Sequence, residues 1–196
     1  WNEVRANRSL REDVPMDDLD ENLKKAERIK NGFATLKAKV EEVKPDVMIV
    51  FGDDQLECFD FTNFPAFAVY VGEEFEGHTS GRDGNMGRPA MGAERQATPM
   101  QKMTGHPELG VSILTGLMQR GFDPAFCMDM PKPDRGIGHA FFRPAESIAG
   151  FDIPTVPVLL NCYYAPQPTA LRCYQMGKAV RESIEAAPAD LRVAVI

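Results

Sequence analysis

The sequence predicts an α/β protein: a single domain in which helices cover a mostly parallel or mixed central sheet. Short uninterrupted apolar runs, such as residues 46–51 and 155–161, have the length and composition of strands that are buried on both faces. Between them lie longer segments whose apolar residues recur every three or four positions, which is typical of amphipathic helices. Buried strands that alternate with such helices predict a sheet with helical cover.

The first predicted helix begins after an acidic segment that ends at Asp18, and it ends at Pro45. Pro45 ends the helix because the residue before a proline avoids the helical region of backbone space. Its apolar positions follow one another at steps of three and four residues, which places them in one stripe. The stripe consists of Leu19, Leu23, Ala26, Ile29, Phe33, Leu36, Val40 and Val43.

The remaining elements follow from the same two patterns. Pro107 is suited to a first helical turn and Gly121 to the end of that helix. In chain order we expect strands over 46–51 and 65–72, a helix from His106 to Gly121, a strand over 124–128, a turn-rich loop over 131–138, a strand over 155–161, a helix over 169–186 and a strand from Leu191.

Residues 73–105 interrupt this alternation of strands and helices. Six glycines are scattered there among polar residues and four methionines. The sequence therefore predicts one long glycine-rich loop. A connection of this length without regular structure is usually a lid, a binding loop or a disordered segment.

The length and the ends of the chain indicate one incomplete domain. A chain of 196 residues suits a single hydrophobic core. It opens at Trp1, and residues 191–196 form an apolar run that resembles a strand. We therefore expect residues 1–196 to be a fragment whose sheet is truncated at both ends.

Charge and composition exclude several classes of partner. The formal net charge is -7, from 22 Lys and Arg against 29 Asp and Glu, which argues against nucleic acid and against an anionic membrane surface. The longest apolar runs are strand-sized, far below the roughly 20 residues of a membrane-spanning helix. The four cysteines lack zinc-site spacing, so we expect reduced thiols and a cytoplasmic location.

Polar residues follow three of the predicted strands, and ligands of open α/β sheets bind beyond the carboxyl ends of strands. The first ending holds Asp53, Asp54, Gln55 and Glu57. Such a cluster forms either a turn whose Asp side chains cap backbone N–H groups, or a metal site built from carboxylate and amide oxygens.

The other two endings supply a histidine and a pair of tyrosines. Residues 127–129 lead through a glycine-containing loop to His139, which is either a half-buried structural side chain or a general acid and base. Residues 161–168 either bind an aromatic ligand or turn a corner with two prolines. The other histidines are best interpreted as a helix-start residue, His106, and a loop residue, His78.

Motifs for nucleotide cofactors and for serine hydrolysis are absent. No Gly-x-Gly-x-x-Gly follows a strand, and the sequence has neither a Walker A motif nor a Gly-x-Ser-x-Gly motif.

Four segments in register resemble a known family. They are Gly52-Asp53-Asp54-Gln55, Gly138-His139-Ala140-Phe141, the segment from Val156 to Pro168, and Leu171 to Gly177. Together they resemble the catalytic subunit of class III extradiol ring-cleavage dioxygenases of the protocatechuate 4,5-dioxygenase type, over about residues 46–196.

The resemblance implies extradiol cleavage of a catecholic or gallate-type aromatic acid with dioxygen at a non-haem Fe(II) site. In such a site two histidines and one glutamate hold the metal and leave positions open for substrate and oxygen. A further histidine moves the protons beside a substrate hydroxyl. A small helical partner subunit or a homo-oligomer is the assembly that the resemblance suggests.

Transferred position by position, the resemblance assigns His139 to catalysis. It places Gln55 at the position of one iron histidine, with Asp54 beside it as a second candidate metal contact. Asn161, Tyr163 and Tyr164 match a loop near the substrate pocket.

The other iron ligands would lie before Trp1 and after Ile196, so little activity is expected from residues 1–196 alone. The glutamine at position 55 departs from the family pattern. It leaves open an alternative, a metal-free member of the same fold superfamily that binds a protein or a ligand.

Overall fold

The computed structural model describes residues 18–79, 100–187 and 190–196. These residues form a mixed five-stranded sheet with four helices around it, and a separate two-stranded hairpin, which confirms the predicted α/β class. The helices are α1 (Leu19–Val43), α2 (Pro107–Gln119), α3 (His139–Pro144), which continues into a π-helical turn (Ala145–Ala149), and α4 (Ala170–Glu185). The strands are β1 (Val47–Asp53), β2 (Phe67–Tyr70), β3 (Glu74–Gly77), β4 (Gln101–Thr104), β5 (Ala125–Cys127), β6 (Thr155–Leu160) and β7 (Val193–Val195).

The strand order in the large sheet is β5-β2-β6-β1-β7. Strands β6 and β7 both run parallel to β1, whereas β2 runs antiparallel to β6 and carries β5 parallel to itself. The carboxyl ends of β1 and β6 therefore meet at one edge of the sheet, which we call the site edge. The carboxyl ends of β2 and β5 lie at the opposite edge.

This topology corrects one expectation about the strand endings. Residues 127–129 follow β5, and because β5 runs against β1 they lie away from the site edge. The turns over 131–138 then bring the chain back, and His139 begins α3 rather than standing in a loop. An apolar run does not reveal the direction of its strand. The sequence alone therefore predicted that all three strand endings lie at the same edge of the sheet.

Two hydrophobic clusters cover the two faces of the sheet. On one face α2 and α4 pack against the sheet through Ile113, Leu117 and Val180. On the other face α3 and the hairpin of β3 and β4 contribute Phe75 and Phe142, whose rings lie edge to face. Close packing on both sides explains why the strands are apolar without alternation.

The long segment over 73–105 is not wholly irregular. Its two ends are β3 and β4, which pair antiparallel, while residues 80–99 lie outside the described part of the chain. In β3 Phe75 is buried between two exposed glutamates. The prediction of a continuous loop is therefore wrong at both ends, because this short alternation was hidden among polar residues.

Helix α1 has the predicted bounds but not the expected burial. The Asp18 side chain accepts a hydrogen bond from the backbone N–H of Glu21 (2.9 Å), and Lys44, at φ +49°, closes the helix on the carbonyl of Val40 (2.8 Å). None of the 25 residues of α1 is buried. Its carboxyl-terminal part, with Leu36, Val40 and Val43, faces the end of the chain after Ala194 and the π-helical turn.

No helix within the described ranges is both long enough and apolar enough to cross a membrane.

The contact between α2 and α4 depends on a glycine. A Cβ atom added at Gly116 would lie 2.2 Å from the Oγ and 2.6 Å from the Cβ of Ser183. We expect Gly116→Ala to push the two helices apart and to lower the free energy of unfolding by about 1–3 kcal/mol. Gly177→Ala is the matched control, because nothing lies within 4 Å of a Cβ there. A denaturant titration should show the control as stable as the original chain, or more stable by about 0.5–1 kcal/mol; equal losses would contradict this packing.

Candidate active site

The register of the central strands brings two loops together at the site edge. Asp53 in β1 lies beside Leu160 in β6. The loop that follows β1 (residues 54–59) therefore adjoins the loop that follows β6 (residues 161–168). These are two of the three predicted endings, and α3 brings His139 to the same place.

Asp54 organises the loop after β1. Its buried carboxylate accepts hydrogen bonds from the backbone N–H groups of Leu56 (3.2 Å), Cys58 (2.7 Å) and Phe59 (3.2 Å). Burial raises the pKa of Asp54 above its ordinary value, and the three N–H groups oppose that effect. The carboxylate thus turns the chain tightly enough that Leu56 adopts φ +71°.

The tight turn delivers Glu57 to His139. The Glu57 side chain is buried, and its Oε1 lies 3.1 Å from Nδ1 of His139. Its second carboxylate oxygen accepts a short hydrogen bond from the backbone N–H of Gln55. The site therefore contains a carboxylate–imidazole pair, with Glu57 held by backbone and side chain together.

Gly52 allows α3 to approach β1. A Cβ at Gly52 would lie 2.7 Å from Cζ of Phe141. Because Gly52 has no side chain, the Phe141 ring packs directly on the strand. This packing fixes the start of α3, and with it His139.

The pair shifts the pKa of both partners. For Glu57, burial raises the pKa, but the hydrogen bonds from His139 and from backbone N–H groups outweigh it, so the pKa lies below its ordinary value. For His139, the hydrogen bond to Glu57 raises the pKa, burial opposes that effect, and the charges of Glu57 and Asp53 add to it. Both shifts favour the state in which Glu57 is ionised and His139 is protonated.

The Gln55 side chain contacts Asp53 and Tyr163. Its Nε2 donates a hydrogen bond to the carboxylate of Asp53 (2.9 Å) and lies 3.5 Å from the Tyr163 hydroxyl. The structure thus brings Gln55 and Tyr163 together with the His139 pair, from loops 108 residues apart.

The loop after β6 depends on Asn161 for its shape. The buried Asn161 amide donates to the carbonyl of Tyr164 (2.7 Å) and accepts from the backbone N–H of Tyr164 (2.9 Å). The Tyr164 ring stacks edge to face on Phe61 and Phe64, while Tyr163 is exposed. Substrate contact by Asn161 stays a prediction, because its hydrogen bonds here go to the loop.

Two residues of this arrangement were not assigned from the sequence. Glu57 was one member of an acidic cluster without a stated partner, and Phe61 was not considered. A signal for Glu57 did exist, since it stands between Leu56 and Cys58, and a carboxylate in an apolar stretch is usually buried with a partner. Nothing in the sequence singles out Phe61.

The side chains at the site edge do not by themselves form the iron site that the resemblance implies. Residues 18–79, 100–187 and 190–196 contain no group of three or more His, Cys, Asp and Glu side chains that could hold a metal ion. An amide stands at position 55, and the Asp54 carboxylate accepts three backbone hydrogen bonds. Metal binding by Gln55 and Asp54 stays a prediction.

The carboxylate–imidazole pair makes a prediction about pH. We expect His139 to titrate above 6.5 and Glu57→Gln to bring its pKa back toward 6.5. Because the pKa of His139 is raised, the contribution of His139 to the free energy of unfolding is present below pH 6.5. That contribution is lost as pH rises through the folded-state pKa. Because the pKa of Glu57 is lowered, the contribution of Glu57 is present above pH 4.5 and is lost as pH falls through its folded-state pKa.

An NMR titration of the histidine rings measures this shift. Glu108→Gln is the control, since Glu108 is exposed beside His106 and distant in sequence from the pair. The pairing would be refuted by a His139 pKa that does not respond to Glu57→Gln.

Comparison with known proteins identifies a family for this chain. Residues 15–196 match the family described as the catalytic LigB subunit of aromatic ring-opening dioxygenase. A gallate dioxygenase from Pseudomonas putida is 36% identical over 96 residues, which cover 47% of this chain and 27% of that protein.

Two more distant relatives are 2,3-dihydroxyphenylpropionate/2,3-dihydroxicinnamic acid 1,2-dioxygenases. The protein from Photorhabdus laumondii is 22% identical over 152 residues, or 78% of this chain and 42% of its own length. The one from Escherichia coli is also 22% identical over 152 residues, or 76% of this chain and 41% of its own length. This chain thus spans between about a quarter and two fifths of these relatives. Because the family match extends over nearly all of the sequence, the chain belongs to the family of catalytic LigB subunits of aromatic ring-opening dioxygenases.

Proposed function

We propose that this chain supplies the proton-transfer and ring-binding groups of an extradiol dioxygenase for a catecholic or gallate-type aromatic acid. The observation that carries the proposal is the buried Glu57 carboxylate held against His139 where β1 and β6 end. Family membership supports ring opening, and the gallate dioxygenase relative supports the substrate class.

The orientation of His139 defines its role in this mechanism. Nδ1 faces Glu57, so Nε2 is the nitrogen that would accept a proton from a substrate hydroxyl and later return it. Glu57 holds the ring in one orientation and stabilises the imidazolium that forms. A substrate with two adjacent hydroxyls would present one of them to Nε2.

The aromatic side chains beside the pair suit a planar substrate. Tyr163 and Phe61 are both exposed at this edge, and the ring of Tyr164 supports Phe61. We propose that Tyr163 and Tyr164 line the pocket for the aromatic ring, with Asn161 fixing their loop.

Non-haem Fe(II) is the cofactor that the family resemblance implies, and it would supply the activation of dioxygen. Its predicted contacts in this chain are Gln55 and, less directly, Asp54. We also propose a cytoplasmic location, which the four free cysteines support.

Oxygen uptake tests the proposal. The full-length protein would be reconstituted anaerobically with Fe(II) and offered gallate, protocatechuate and other catechols, with methylated analogues that lack two adjacent free hydroxyls as controls. We expect oxygen consumption with a yellow ring-opened product for at least one free catechol and none for its analogue without adjacent free hydroxyls. Folded, iron-loaded protein that consumes no oxygen with any catechol would refute the proposal.

Gln55 favours a second candidate, a metal-free member of the family that binds an aromatic ligand or a protein. An amide is a poor replacement for an imidazole as an iron ligand, because it is a weaker donor for a transition metal. The two candidates differ in iron content. Stoichiometric iron after reconstitution excludes the second candidate, and its absence from a folded protein favours it.

A further inference from the structure

The segment that leads into α3 contacts both partners of the carboxylate–imidazole pair. It ends at His139, the first residue of α3. Two of its side chains reach back to the loop after β1. Nη1 of Arg135 donates a hydrogen bond to the carbonyl of Leu56 (3.1 Å), and Nζ of Lys132 donates one to the carbonyl of Phe59 (3.1 Å). Residues 132–139 therefore tie the loop that carries Glu57 to the helix that carries the histidine.

The backbone of this segment gives Arg135 a fixed position. The carbonyl of Lys132 accepts hydrogen bonds from the backbone N–H groups of Arg135 and Gly136, both at 3.0 Å. Gly136 has φ +73°, and a Cβ there would lie 2.5 Å from the carbonyl oxygen of Glu76. The next residue, Ile137, is buried and donates its N–H to the same carbonyl (2.8 Å). The Arg135 side chain thus extends from a compact turn that is fastened to β3.

Leu56 is the residue on which Arg135 acts, and its backbone conformation is costly. Its φ of +71° lies in the left-handed region, where the Cβ of an ordinary residue crowds the backbone. Both polar groups of Leu56 are held in this conformation. The N–H donates to the Asp54 carboxylate (3.2 Å), and the carbonyl accepts from Arg135 (3.1 Å). Such a conformation persists only where the surrounding contacts hold it in place.

The peptide group between Leu56 and Glu57 sets the direction of the Glu57 side chain. Its carbonyl is the group that Arg135 holds, and the residue after it carries the carboxylate that lies 3.1 Å from Nδ1 of His139. Without this hydrogen bond the peptide group would be free to turn toward an ordinary backbone conformation. That movement would carry the Glu57 carboxylate away from His139.

We propose that Arg135 is a positioning residue: it holds the peptide group between Leu56 and Glu57 so that the Glu57 carboxylate stays against Nδ1 of His139. Arg135 acts through Glu57, and Glu57 in turn orients the imidazole. The consequence for turnover rests on the function proposed above. The consequence for the Glu57–His139 pair depends on the folded chain alone.

An NMR titration of His139 in the full-length protein, before iron is added, tests the positioning without turnover. The charges of Glu57 and Asp53 raise the pKa of His139, and the charge of Arg143 lowers it. Loss of a nearby cation in Arg135→Met would by itself raise this pKa, because a positive charge disfavours the imidazolium. We expect the opposite, a fall toward 6.5, because the Glu57 carboxylate moves away. The sign of the change therefore separates positioning from simple loss of charge.

Three further variants complete the titration. Arg135→Lys keeps a cation with a hydrogen-bond donor and should restore the raised pKa of His139, at least in part. Arg135→Gln is a second uncharged variant and should behave like Arg135→Met. Arg172→Met is the matched control, because Arg172 also donates to a backbone carbonyl, that of Gly121 (2.8 Å), but from α4 on the other face of the sheet. It should leave the pKa of His139 unchanged. Circular dichroism would confirm that each variant is folded.

Steady-state kinetics of the iron-loaded protein test the consequence for catalysis. We expect Arg135→Met to lower kcat about tenfold to a hundredfold, the range for a misplaced catalytic group. KM should change little, because the proton acceptor contributes in the transition state and not to substrate binding. Arg135→Lys should recover part of kcat, and the iron content should be the same in all variants.

The two measurements distinguish this inference from the function on which it rests. A pKa of His139 that is unchanged or raised in folded Arg135→Met and Arg135→Gln would overturn the positioning role, and so would a loss of turnover that came from KM alone. A lowered pKa in a protein that oxidises no catechol would support the positioning role and refute the proposed function.

Discussion

Replacing His139 with alanine is expected to lower the rate of ring cleavage by about 10²- to 10⁴-fold, the range for loss of a proton-transfer group. The Glu57 carboxylate would remain but would have no imidazole to orient. Because the change leaves the strands and the Asp54 turn in place, the fold and the iron content should be unchanged. The measurement is turnover by oxygen uptake in the full-length protein, beside iron analysis.

His106→Ala is the matched control for this substitution. The His106 side chain accepts a hydrogen bond from the backbone N–H of Leu109 and caps α2, as the sequence indicated. Loss of this capping hydrogen bond should lower the free energy of unfolding by about 0.5–2 kcal/mol and leave turnover intact. Unchanged turnover in His139→Ala would remove His139 from the mechanism, whatever the control shows.

Replacing Asp54 with alanine is expected to cause the largest loss of stability, about 3–5 kcal/mol. The buried carboxylate accepts three backbone hydrogen bonds, and its removal would leave those N–H groups without partners in a dry turn. The same turn delivers Glu57, so the Glu57–His139 contact should be lost as well. Chemical denaturation measures the first effect, and the NMR pKa of His139 measures the second.

Asp60→Ala provides the comparison for Asp54. Asp60 also accepts a hydrogen bond from the backbone N–H of Thr62 (3.0 Å) and pairs with Lys132 (3.0 Å), but its side chain is half-exposed to solvent. Because water can replace these contacts, Asp60→Ala should lower the free energy of unfolding much less than Asp54→Ala does. Equal losses of stability in the two variants would mean that the burial of Asp54 contributes little to the free energy of unfolding.

The sequence predicted the sheet well, for a physical reason. Strands such as β1 and β6 are buried on both faces by helices and the hairpin, so their composition alone reveals them. The direction of β5 could not be predicted, because direction depends on which strand it pairs with. The exposed stripe of α1 was also unexpected, since an amphipathic pattern shows which face is apolar but not what covers it.

Part of the candidate site could likewise be predicted from the sequence, and part could not. The strand endings predicted that Gln55 and Tyr163 belong together, and the structure places Nε2 of Gln55 3.5 Å from the Tyr163 hydroxyl. The strand ending assigned to His139 lies at the opposite edge, so for His139 only the family resemblance pointed to this site. The sequence did not predict the Glu57–His139 pair, which joins residues 82 positions apart through a turn built by Asp54. Such a pair depends on the packing of Phe141 against Gly52, which no local pattern reveals.

Mass analysis of the reaction product under ¹⁸O₂ tests the central claim most directly. The full-length protein, loaded with Fe(II), would turn over gallate or whichever catechol gives the fastest oxygen uptake. A dioxygenase of this family should place both atoms of one oxygen molecule in the ring-opened product, with the ring cleaved beside the two hydroxyls. A product without ¹⁸O, or an intact ring after oxygen is consumed, would contradict the assignment of this site to ring cleavage.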